Sequence, residues 1–172
     1  MGGQYLAPRE VRTQRLLLRP FVLADHARYA RFSADPEVMR YMGTGVVSTP
    51  EMAWRSMSAL LGHWEMLGYG IWAIDLPGTG VIGHAGYIDV PGWPGFELGW
   101  MLGREYWGQG YAREAAATAL EIAYATLKRD RVISLIRPPN AASIKLALAL
   151  GAVGEGSTDL LGSPAEVYVH QP

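Results

Sequence analysis

Cysteine is missing from the sequence, and its absence excludes several kinds of chemistry. Disulfides, thiolate metal sites and nucleophilic catalysis by cysteine all require the thiol group. Histidine is also sparse, and the four copies are far apart in the sequence, with no pair at the four-residue spacing of helical metal ligands: His26, His63, His84 and His170. The sequence therefore predicts no metal site.

Excess positive charge and long apolar runs are absent as well. The formal net charge is -1, and because a phosphate backbone requires a basic face, we expect no nucleic-acid partner. No uninterrupted apolar run is long enough to span a bilayer. Residues 1–10 lack the apolar core of a signal peptide, and Leu6 stands where a myristoylation signal requires Ser or Thr. We therefore expect a cytoplasmic protein with no membrane partner.

Linkers, fixed-period repeats and low-complexity tracts do not interrupt the 172 residues. This length suits one domain with a single core, and the 49% hydrophobic and 18% charged contents are typical of globular proteins. We expect one domain over residues 1–172.

Capping residues predict helices in the first part of the chain. A strand over residues 15–21 and a short helix come first, and Asp35 and Pro36 then begin another helical turn. Thr49 begins a longer amphipathic helix that ends at Gly68.

The period of the apolar residues changes after this helix. Short apolar runs separated by turn sequences predict an antiparallel meander over residues 70–76, 81–90 and 96–102. Helices and strands then follow one another: a helix over 112–127, a strand over 131–137, a helix over 140–150, and strands over 152–158 and 165–170. The order predicts a mixed α/β fold with helices packed on one sheet.

Two glycines one residue apart, Gly108 and Gly110, precede the Ala-rich helix. A helix N-terminus exposes N–H groups with partial positive charge, and a loop without side chains lets a pyrophosphate reach them. A tight strand-to-helix turn explains the same spacing, so both interpretations stay open. A Rossmann fingerprint would need glycine at Arg113, and a Walker loop would need a Gly-Lys-Ser/Thr ending, so neither motif is present.

Gly99 lies inside a predicted strand, where glycine indicates a bulge or a close approach of the backbone. By strand alternation Glu97 shares a face with Gly99 and Met101, which leaves a carboxylate on a partly apolar surface. Glu97 is a candidate general base, although sequence alone favours a solvated strand glutamate. Trp93, in the preceding turn, either lines a pocket or packs back on the sheet.

Asn140 can cap the last helix, and Ser143 lies one turn inside it. Capping explains Asn140 fully but does not require Ser143. Ser157 and Ser163 lack the Gly-x-Ser-x-Gly elbow, so the sequence gives little support to a serine hydrolase.

Together these motifs resemble the GNAT superfamily of acetyl-CoA-dependent N-acetyltransferases, in particular the branch of ribosomal-protein N-terminal acetyltransferases. The likeness covers nearly the whole chain, and its segments occur in the family's order over residues 13–21, 35–42, 97–102, 105–115 and 140–152. The resemblance implies a sheet of about seven mostly antiparallel strands with a splayed central pair, flanked by about four helices.

The family's acetyl-CoA loop follows the pattern Arg/Gln-x-x-Gly-x-Gly/Ala, which falls on residues 107–112 with a departure at Trp107. Main-chain N–H groups hold the pyrophosphate in this loop, so the departure weakens the match little. The resemblance implies acetyl-CoA as cosubstrate, no metal, and the following binding residues: Trp100, Met101, Leu102, Trp107, Gly108, Gln109, Gly110, Tyr111, Ala112, Asn140 and Ser143.

Acetyl transfer to an amine needs a neutral amine, a polarised thioester and a stabilised leaving thiolate. Glu97 would take the ammonium proton directly or through water, and a main-chain N–H near Met101 would bind the oxyanion. Many superfamily members place a tyrosine acid where this chain has Ala147, and in the resembled branch a serine that matches Ser143 can take its place. The phenylalanine that commonly follows the last helix is Ala152 here.

The implied function is transfer of the acetyl group from acetyl-CoA to a primary amine, on a protein N-terminus or a small molecule. Direct attack in a ternary complex is the simpler route without cysteine. The alternatives are an acetyl-CoA-binding sensor or assembly module with little catalysis, and a structural protein with no ligand. We expect a monomer or homodimer whose acceptor pocket is shaped by the segment from Val46 to Gly68 and by the turn over residues 91–95.

Overall fold

An eight-stranded sheet forms the centre of the fold, in the order β1-β2-β3-β4-β5-β6-β8-β7. The computed structural model describes residues 5–172, so the first four residues of the stretch searched for targeting signals lie outside the described part. Every neighbouring pair of strands is antiparallel except β5 and β6. The strands are β1 (Val11–Arg12), β2 (Leu17–Arg19), β3 (Ile71–Leu76), β4 (Gly80–Ile88), β5 (Glu97–Leu102), β6 (Val132–Ile136), β7 (Val153–Leu160) and β8 (Ser163–His170).

In residues 5–172, five α-helices accompany the sheet: α1 (His26–Ser33), α2 (Pro36–Met39), α3 (Pro50–Leu67), α4 (Tyr111–Ala125) and α5 (Ala141–Ala149). The predicted caps are confirmed, because the Asp35 side chain accepts a hydrogen bond from the N–H of Glu37 and Thr49 accepts one from Met52. The long helix α3 ends at Gly68, whose φ of 75° lies in the left-handed region that glycine adopts at little cost.

The mixed α/β class is confirmed, whereas the expected numbers of strands and helices were each one too low. The unpredicted strand is β1, and its two residues are too few to show an alternating pattern. The count of about four helices came from the resemblance, whereas the capping residues had predicted all five, including the single turn α2.

The strands β3, β4 and β5 form the predicted meander, and the bulge that was one of two alternatives at Gly99 is not observed between β4 and β5. The pairing of β4 with β5 runs without a shift from Ile88 and Glu97 to Gly83 and Leu102. The irregularity lies between β3 and β4, at Ile74 and Asp75.

The core lies on both faces of the sheet. On one face, Leu98 and Leu102 of β5 belong to a cluster that includes the buried alanines of α4. On the other face, Met101 packs in a cluster with Tyr29 of α1 and Met57 of α3. Within residues 5–172, no helix combines the length and apolar character needed to cross a membrane.

Candidate active site

The two parallel strands β5 and β6 separate almost as soon as they meet. Glu97 and Ile133 form their one paired position within residues 5–172. Beyond this position β5 continues to Leu102, while β6 leads into the turn before α5. The separation leaves the later residues of β5 without a neighbouring strand on that edge, so a ligand can lie between the two strands.

A cleft of about 530 Å³ lies at this separation. Its walls are the end of β5, the segment that leads into α4, the helix α5, and α2 with the turn after it. The lining residues are Glu37, Val38, Arg40, Tyr41, Met42, Trp100, Met101, Leu102, Tyr106, Trp107, Gly108, Gly110, Tyr111, Ala112, Arg113, Asn140, Ala142, Ser143, Lys145, Leu146 and Ala149.

The glycine loop forms the wall at the N-terminus of α4. Gly108 and Gly110 have φ values of 73° and 81°, so the loop adopts a backbone shape that disfavours other residues. Gly110 caps α4 without a side-chain hydrogen bond, which leaves N–H groups of the first turn available to a ligand. The indole of Trp107 donates a hydrogen bond of 2.9 Å to the carbonyl of Leu102 and joins the loop to the end of β5.

An ion pair between Arg15 and Glu114 connects this loop and the start of α4 to the β1–β2 turn. Arg15 Nε donates to the carboxylate of Glu114 at 2.7 Å, and Arg15 Nη1 donates to the Gln109 carbonyl at 3.0 Å. The hydroxyl of Thr13 donates to Glu114 at 2.6 Å. Burial alone would raise the pKa of Glu114, but these hydrogen bonds outweigh it and hold the pKa below its usual value. The β1–β2 turn thus fixes the start of α4.

Across the cleft, α5 presents the hydroxyl of Ser143. Asn140 caps the helix by accepting a hydrogen bond of 3.2 Å from the Ser143 N–H. Trp100 Nε1 donates to Ser143 Oγ at 3.3 Å. An indole N–H is a donor only, so the Ser143 hydroxyl is the acceptor here and its own proton stays available for another partner.

Glu97 begins β5 and is buried, with 7% of its surface exposed. The interpretation as a solvated strand glutamate is therefore wrong. Burial raises the pKa of Glu97 to about 7, although hydrogen bonds from the Trp93 indole and the Leu135 amide act in the opposite direction. The Trp93 indole donates to Glu97 Oε2 at 2.6 Å, so Trp93 packs back on the sheet. A carboxyl group with this pKa can accept or release a proton near neutral pH.

Glu97 does not line the cleft, but it lies on the same face of β5 as a residue that does. Strand alternation places Glu97, Gly99 and Met101 on one face, and Met101 is a lining residue. A Cβ built at Gly99 meets no atom within 4 Å among residues 5–172. The missing side chain therefore leaves open space on the sheet between the carboxylate and the cleft.

The amides that face the separation belong to neighbours of Met101. The carbonyls of Phe96 and Leu98 point toward β6, since they accept hydrogen bonds from the Ile133 N–H and the Ser134 hydroxyl. Because backbone groups alternate along a strand, the N–H groups of Trp100 and Leu102 point the same way. The N–H of Met101 points to β4, so Trp100 and Leu102 are the better candidate oxyanion donors.

The structure brings the sequence-derived binding residues together at the cleft, with one exception. Gln109 is not a lining residue, because its side chain donates to the Glu105 carbonyl and its own carbonyl accepts from Arg15. The remaining binding residues line the cleft: Trp100, Met101, Leu102, Trp107, Gly108, Gly110, Tyr111, Ala112, Asn140 and Ser143.

Residues 46–68, which we expect to shape the acceptor pocket, do not line this cleft within the described part of the chain, and the location of that pocket stays a prediction. The wall opposite is formed by α2 and the turn through Met42. Trp64 of α3 is instead buried in the core, where its indole donates to the Ile71 carbonyl. The capping signal at Asp35 located α2, but no pattern in the sequence indicated that this turn faces α5.

Three of the four histidines are buried in structural positions. His63 is held by the carbonyl of Tyr69, and His170 by the Ser134 hydroxyl at 2.9 Å. His84 lies against the rings of Phe21 and Tyr29. Over residues 5–172, no group of three or more metal-binding side chains is placed to hold an ion.

Comparison with known proteins identifies a matching family and related sequences. Residues 15–153 match the family described as "Acetyltransferase (GNAT) domain". Among curated proteins, the chain is 31% identical over 147 residues to the "Uncharacterized N-acetyltransferase p20" of Bacillus licheniformis, covering 84% of this chain and 82% of that protein.

Solved structures share the fold over nearly the whole chain. An acetyltransferase from Agrobacterium tumefaciens superposes with a TM-score of 0.85 and 31% identity, covering 100% of this chain and 99% of the other. Mycobacterium smegmatis RimJ, solved in complex with CoA-disulfide, has a TM-score of 0.75 at 20% identity, covering 96% and 88% of the two chains. At this lower identity the likeness to RimJ is one of fold.

Proposed function

The chain belongs to the GNAT acetyltransferase family, and from this premise we propose that it transfers the acetyl group of acetyl-CoA to a primary amine. The observation that carries the proposal is the cleft itself. It joins the glycine loop at the start of α4 to the Ser143 hydroxyl, and the open space at Gly99 lies on the same face of β5 as the lining residue Met101 and the buried carboxylate of Glu97. A binding loop, a proton donor and a proton acceptor are thus within one region of the fold.

The glycine loop suits the pyrophosphate of acetyl-CoA. The first-turn N–H groups of α4 carry partial positive charge, and Gly108 and Gly110 let phosphate oxygens approach the main chain. Arg113 and Lys145 line the same cleft and add cationic side chains. The RimJ complex supports this assignment, because a protein of the same fold binds a CoA derivative. We propose the binding residues named above as the acetyl-CoA site, with Gln109 contributing through its main chain.

In the proposed reaction, the free amine attacks the thioester carbonyl directly. Glu97 accepts the proton of the incoming ammonium, through water or directly, and the N–H groups of Trp100 and Leu102 stabilise the oxyanion. Collapse of the tetrahedral intermediate breaks the C–S bond, and the thiolate takes the proton of Ser143, whose oxygen already accepts a hydrogen bond from Trp100. The attacking nitrogen then loses its second proton, which passes through water to the Ser143 oxygen, and Glu97 releases the first proton to solvent as the products leave.

We further propose that residues 1–172 act as one domain in the cytoplasm, as a monomer or homodimer without a nucleic-acid or membrane partner. The acceptor is a primary amine of a peptide N-terminus or of a small molecule. The solved structures that share this fold include ribosomal-protein acetyltransferases, and they support the choice of peptide N-termini as the first class to test.

The test is an acetyl-CoA-dependent release of free CoA thiol across peptides beginning with Ala, Ser or Met, polyamines and aminoglycosides. We expect release with at least one class. Glu97→Gln should lower the rate at pH 7 by about a hundredfold and recover part of it as the pH approaches the acceptor's own pKa. Ser143→Ala should lower turnover and leave acetyl-CoA affinity nearly unchanged, since its proton is transferred only as the C–S bond breaks.

Binding of acetyl-CoA without thiol release from any amine would favour the alternative, a sensor or assembly module. Absence of both binding and release would contradict the proposed function altogether. Equal pH profiles for Glu97→Gln and the parent would remove Glu97 from the mechanism while leaving acetyl transfer in place.

A further inference from the structure

The loop between β4 and β5 places one tryptophan directly on the buried carboxylate. Trp93 Nε1 donates a hydrogen bond of 2.6 Å to Glu97 Oε2. We propose that Trp93 is a positioning residue, which holds the Glu97 carboxylate in a single orientation and favours its ionised form for proton transfer. This role rests on the proposed function, in which Glu97 is the general base.

The loop is anchored at its first residue, so the indole is held in place by more than its own hydrogen bond. Asp89 accepts a hydrogen bond of 2.6 Å from the Tyr69 hydroxyl, and its N–H donates to His63 Nε2 at 3.2 Å. Arg129 pairs with the same carboxylate at 3.4 Å. These partners come from α3, the segment between α3 and β3, and the segment after α4, so distant parts of the chain fix where the loop begins.

The last residue of the loop is held as well. Phe96 directly precedes Glu97, and the guanidinium carbon of Arg129 lies 4.3 Å from the centroid of its ring. The same guanidinium carbon lies 4.9 Å from the ring centroid of Tyr69. Arg129 therefore joins both ends of the loop through cation–π contacts and its ion pair with Asp89. Trp93 therefore lies between two loop ends, Asp89 and Phe96, that are both held by contacts with Arg129.

No charged side chain pairs with the Glu97 carboxylate within residues 5–172, so the Trp93 indole is its main side-chain partner. The residues paired with Glu97 across the sheet, Ile88 of β4 and Ile133 of β6, do not titrate. The nearby Asp89 is already paired with Arg129, and His170 of β8 bonds to Ser134. Within residues 5–172, no ion pair includes Glu97, and Trp93 is the one side chain that donates to it.

A donor-only partner has a definite chemical effect. The indole N–H cannot accept a proton, so it stabilises the carboxylate more than the neutral carboxylic acid. It donates to Oε2, and because each carboxylate oxygen has more than one lone pair, the group can still receive the proton of the ammonium or of a bridging water. Loss of the N–H should raise the pKa of Glu97 further above its usual value and let the carboxylate rotate.

The test compares Trp93→Phe with the parent in the full chain, using the titration of the ¹³C-labelled Glu97 carboxyl by NMR and the pH profile of kcat/KM. Glu97→Gln assigns the NMR signal. We expect the pKa of Glu97 to rise above about 7 and the acid limb of the profile to move with it. A rise of about one pKa unit lowers the ionised fraction at pH 7 from about a half to about a tenth, so kcat/KM should fall about fivefold there and recover near pH 9.

Two further variants make the result specific. Trp93→His retains a ring N–H and should restore part of the parental pKa if Trp93→Phe raises it. Trp54→Phe is the matched control, because Trp54 is exposed on α3 away from the cleft and its nearest aromatic contact is His26. This control should leave both measurements unchanged. Circular dichroism and calorimetric affinity for acetyl-CoA establish that each variant folds and binds.

Each outcome separates this proposal from the proposed function. An unchanged pKa of Glu97 in Trp93→Phe overturns the positioning role, whereas activity lost in Glu97→Gln still supports the base. A raised pKa with an unchanged pH profile overturns both the role of Trp93 and the assignment of Glu97 as base, while thiol release shows that acetyl transfer persists. If both variants fold and raise the pKa of Glu97 by the same amount, the ring N–H is not the cause and the proposal is overturned. If Trp93→Phe does not fold, Trp93→His decides, and a pKa of Glu97 well above the parental value in that variant overturns the proposal.

Discussion

The carboxylate of Glu97 shows how much a single residue depends on its surroundings. Its position in an alternating strand could be read from the sequence, and so could its shared face with Gly99 and Met101. Its burial could not, because the loop that carries Trp93 is held by contacts of Asp89 and Phe96 with residues far away in the chain. Local patterns do not contain that contact, and a solvated glutamate was the natural expectation.

Gly99 allows a test of the route between the cleft and Glu97. A Cβ at this position meets no protein atom within 4 Å, and its φ is not in the left-handed region, so Gly99→Ala should fold as well as the parent. The added methyl group should occupy the space that an acceptor amine needs to reach the carboxylate. We expect unchanged acetyl-CoA affinity and kcat/KM for the acceptor lowered about tenfold, on the order of 1.4 kcal/mol.

Isothermal calorimetry with acetyl-CoA and steady-state kinetics with the best acceptor measure the two quantities. Gly78→Ala, in the β3–β4 turn, is a control for the loss of a glycine far from the cleft. Full activity in Gly99→Ala would mean that the acceptor reaches the thioester by another route.

At the scale of secondary-structure elements, the start of α4 combines three features of a phosphate site. The left-handed glycines shape the loop, the uncapped first turn supplies N–H groups, and Arg15 with Glu114 fixes the loop to the β1–β2 turn. The sequence predicted the first two features from local spacing. The brace was beyond sequence reasoning, because its ion pair joins residues 99 positions apart.

Substitution of Gly110 tests whether the loop shape controls affinity. Gly110→Ala forces a Cβ onto a residue with φ of 81° and places it 3.3 Å from Arg15 Nη2. The resulting shift of the loop should misalign its N–H donors and weaken acetyl-CoA binding by on the order of 2 kcal/mol, about thirtyfold. Calorimetry measures the affinity.

The matched control is Gly162→Ala in the β7–β8 turn, where φ is 79° and the added Cβ meets nothing within 4 Å. Both variants should lose about 1 kcal/mol of unfolding free energy from the same backbone strain. Only Gly110→Ala should lose affinity for acetyl-CoA, and equal affinity in both variants would place the pyrophosphate elsewhere.

Capping and stop residues in the sequence predicted where the helices begin and end. They did not predict which helices pack beside the cleft. Caps at Asp35 and Thr49 and the stop at Gly68 act within one helical turn, so the sequence located α2 and α3. Which helix forms the second wall of the cleft depends on packing across the sheet, and no local pattern indicated that α2 lines it. Short elements such as β1 also escape detection, since two residues carry no period.

For the whole molecule, three buried groups should determine how stability depends on pH between about 4.5 and 6.5. Burial lowers the pKa of His84 to about 4 and that of His170 to about 4, and burial raises the pKa of Glu97 to about 7. In this window the unfolded chain binds a proton on each histidine and none on Glu97. The folded protein binds one on Glu97 and none on the histidines, so unfolding takes up one proton net.

Uptake of a proton on unfolding means that stability rises with pH. The two histidines contribute stability that is lost as the pH falls from about 6.5 to about 4, and Glu97 contributes stability that is lost as the pH rises through about 7. One net proton corresponds to a slope of about 1.4 kcal/mol per pH unit over the window. Below about pH 4.5 the unfolded Glu97 is protonated too, so the slope should become steeper, and the maximum of stability should lie near pH 6.5 to 7.

Two variants should change this slope in opposite directions, and urea unfolding at intervals of half a pH unit measures it. His84→Leu keeps an apolar side chain against Phe21 and Tyr29 and removes one acid-labile group, so the free energy of unfolding should become nearly independent of pH in the window. Glu97→Gln removes the opposing group, so the slope should roughly double, and the variant should be more stable than the parent above pH 7 because no buried carboxylate must ionise. A Glu97→Gln slope equal to that of the parent would show that Glu97 titrates alike in the folded and unfolded states, and the same finding would remove the basis for proton transfer by this carboxylate near neutral pH.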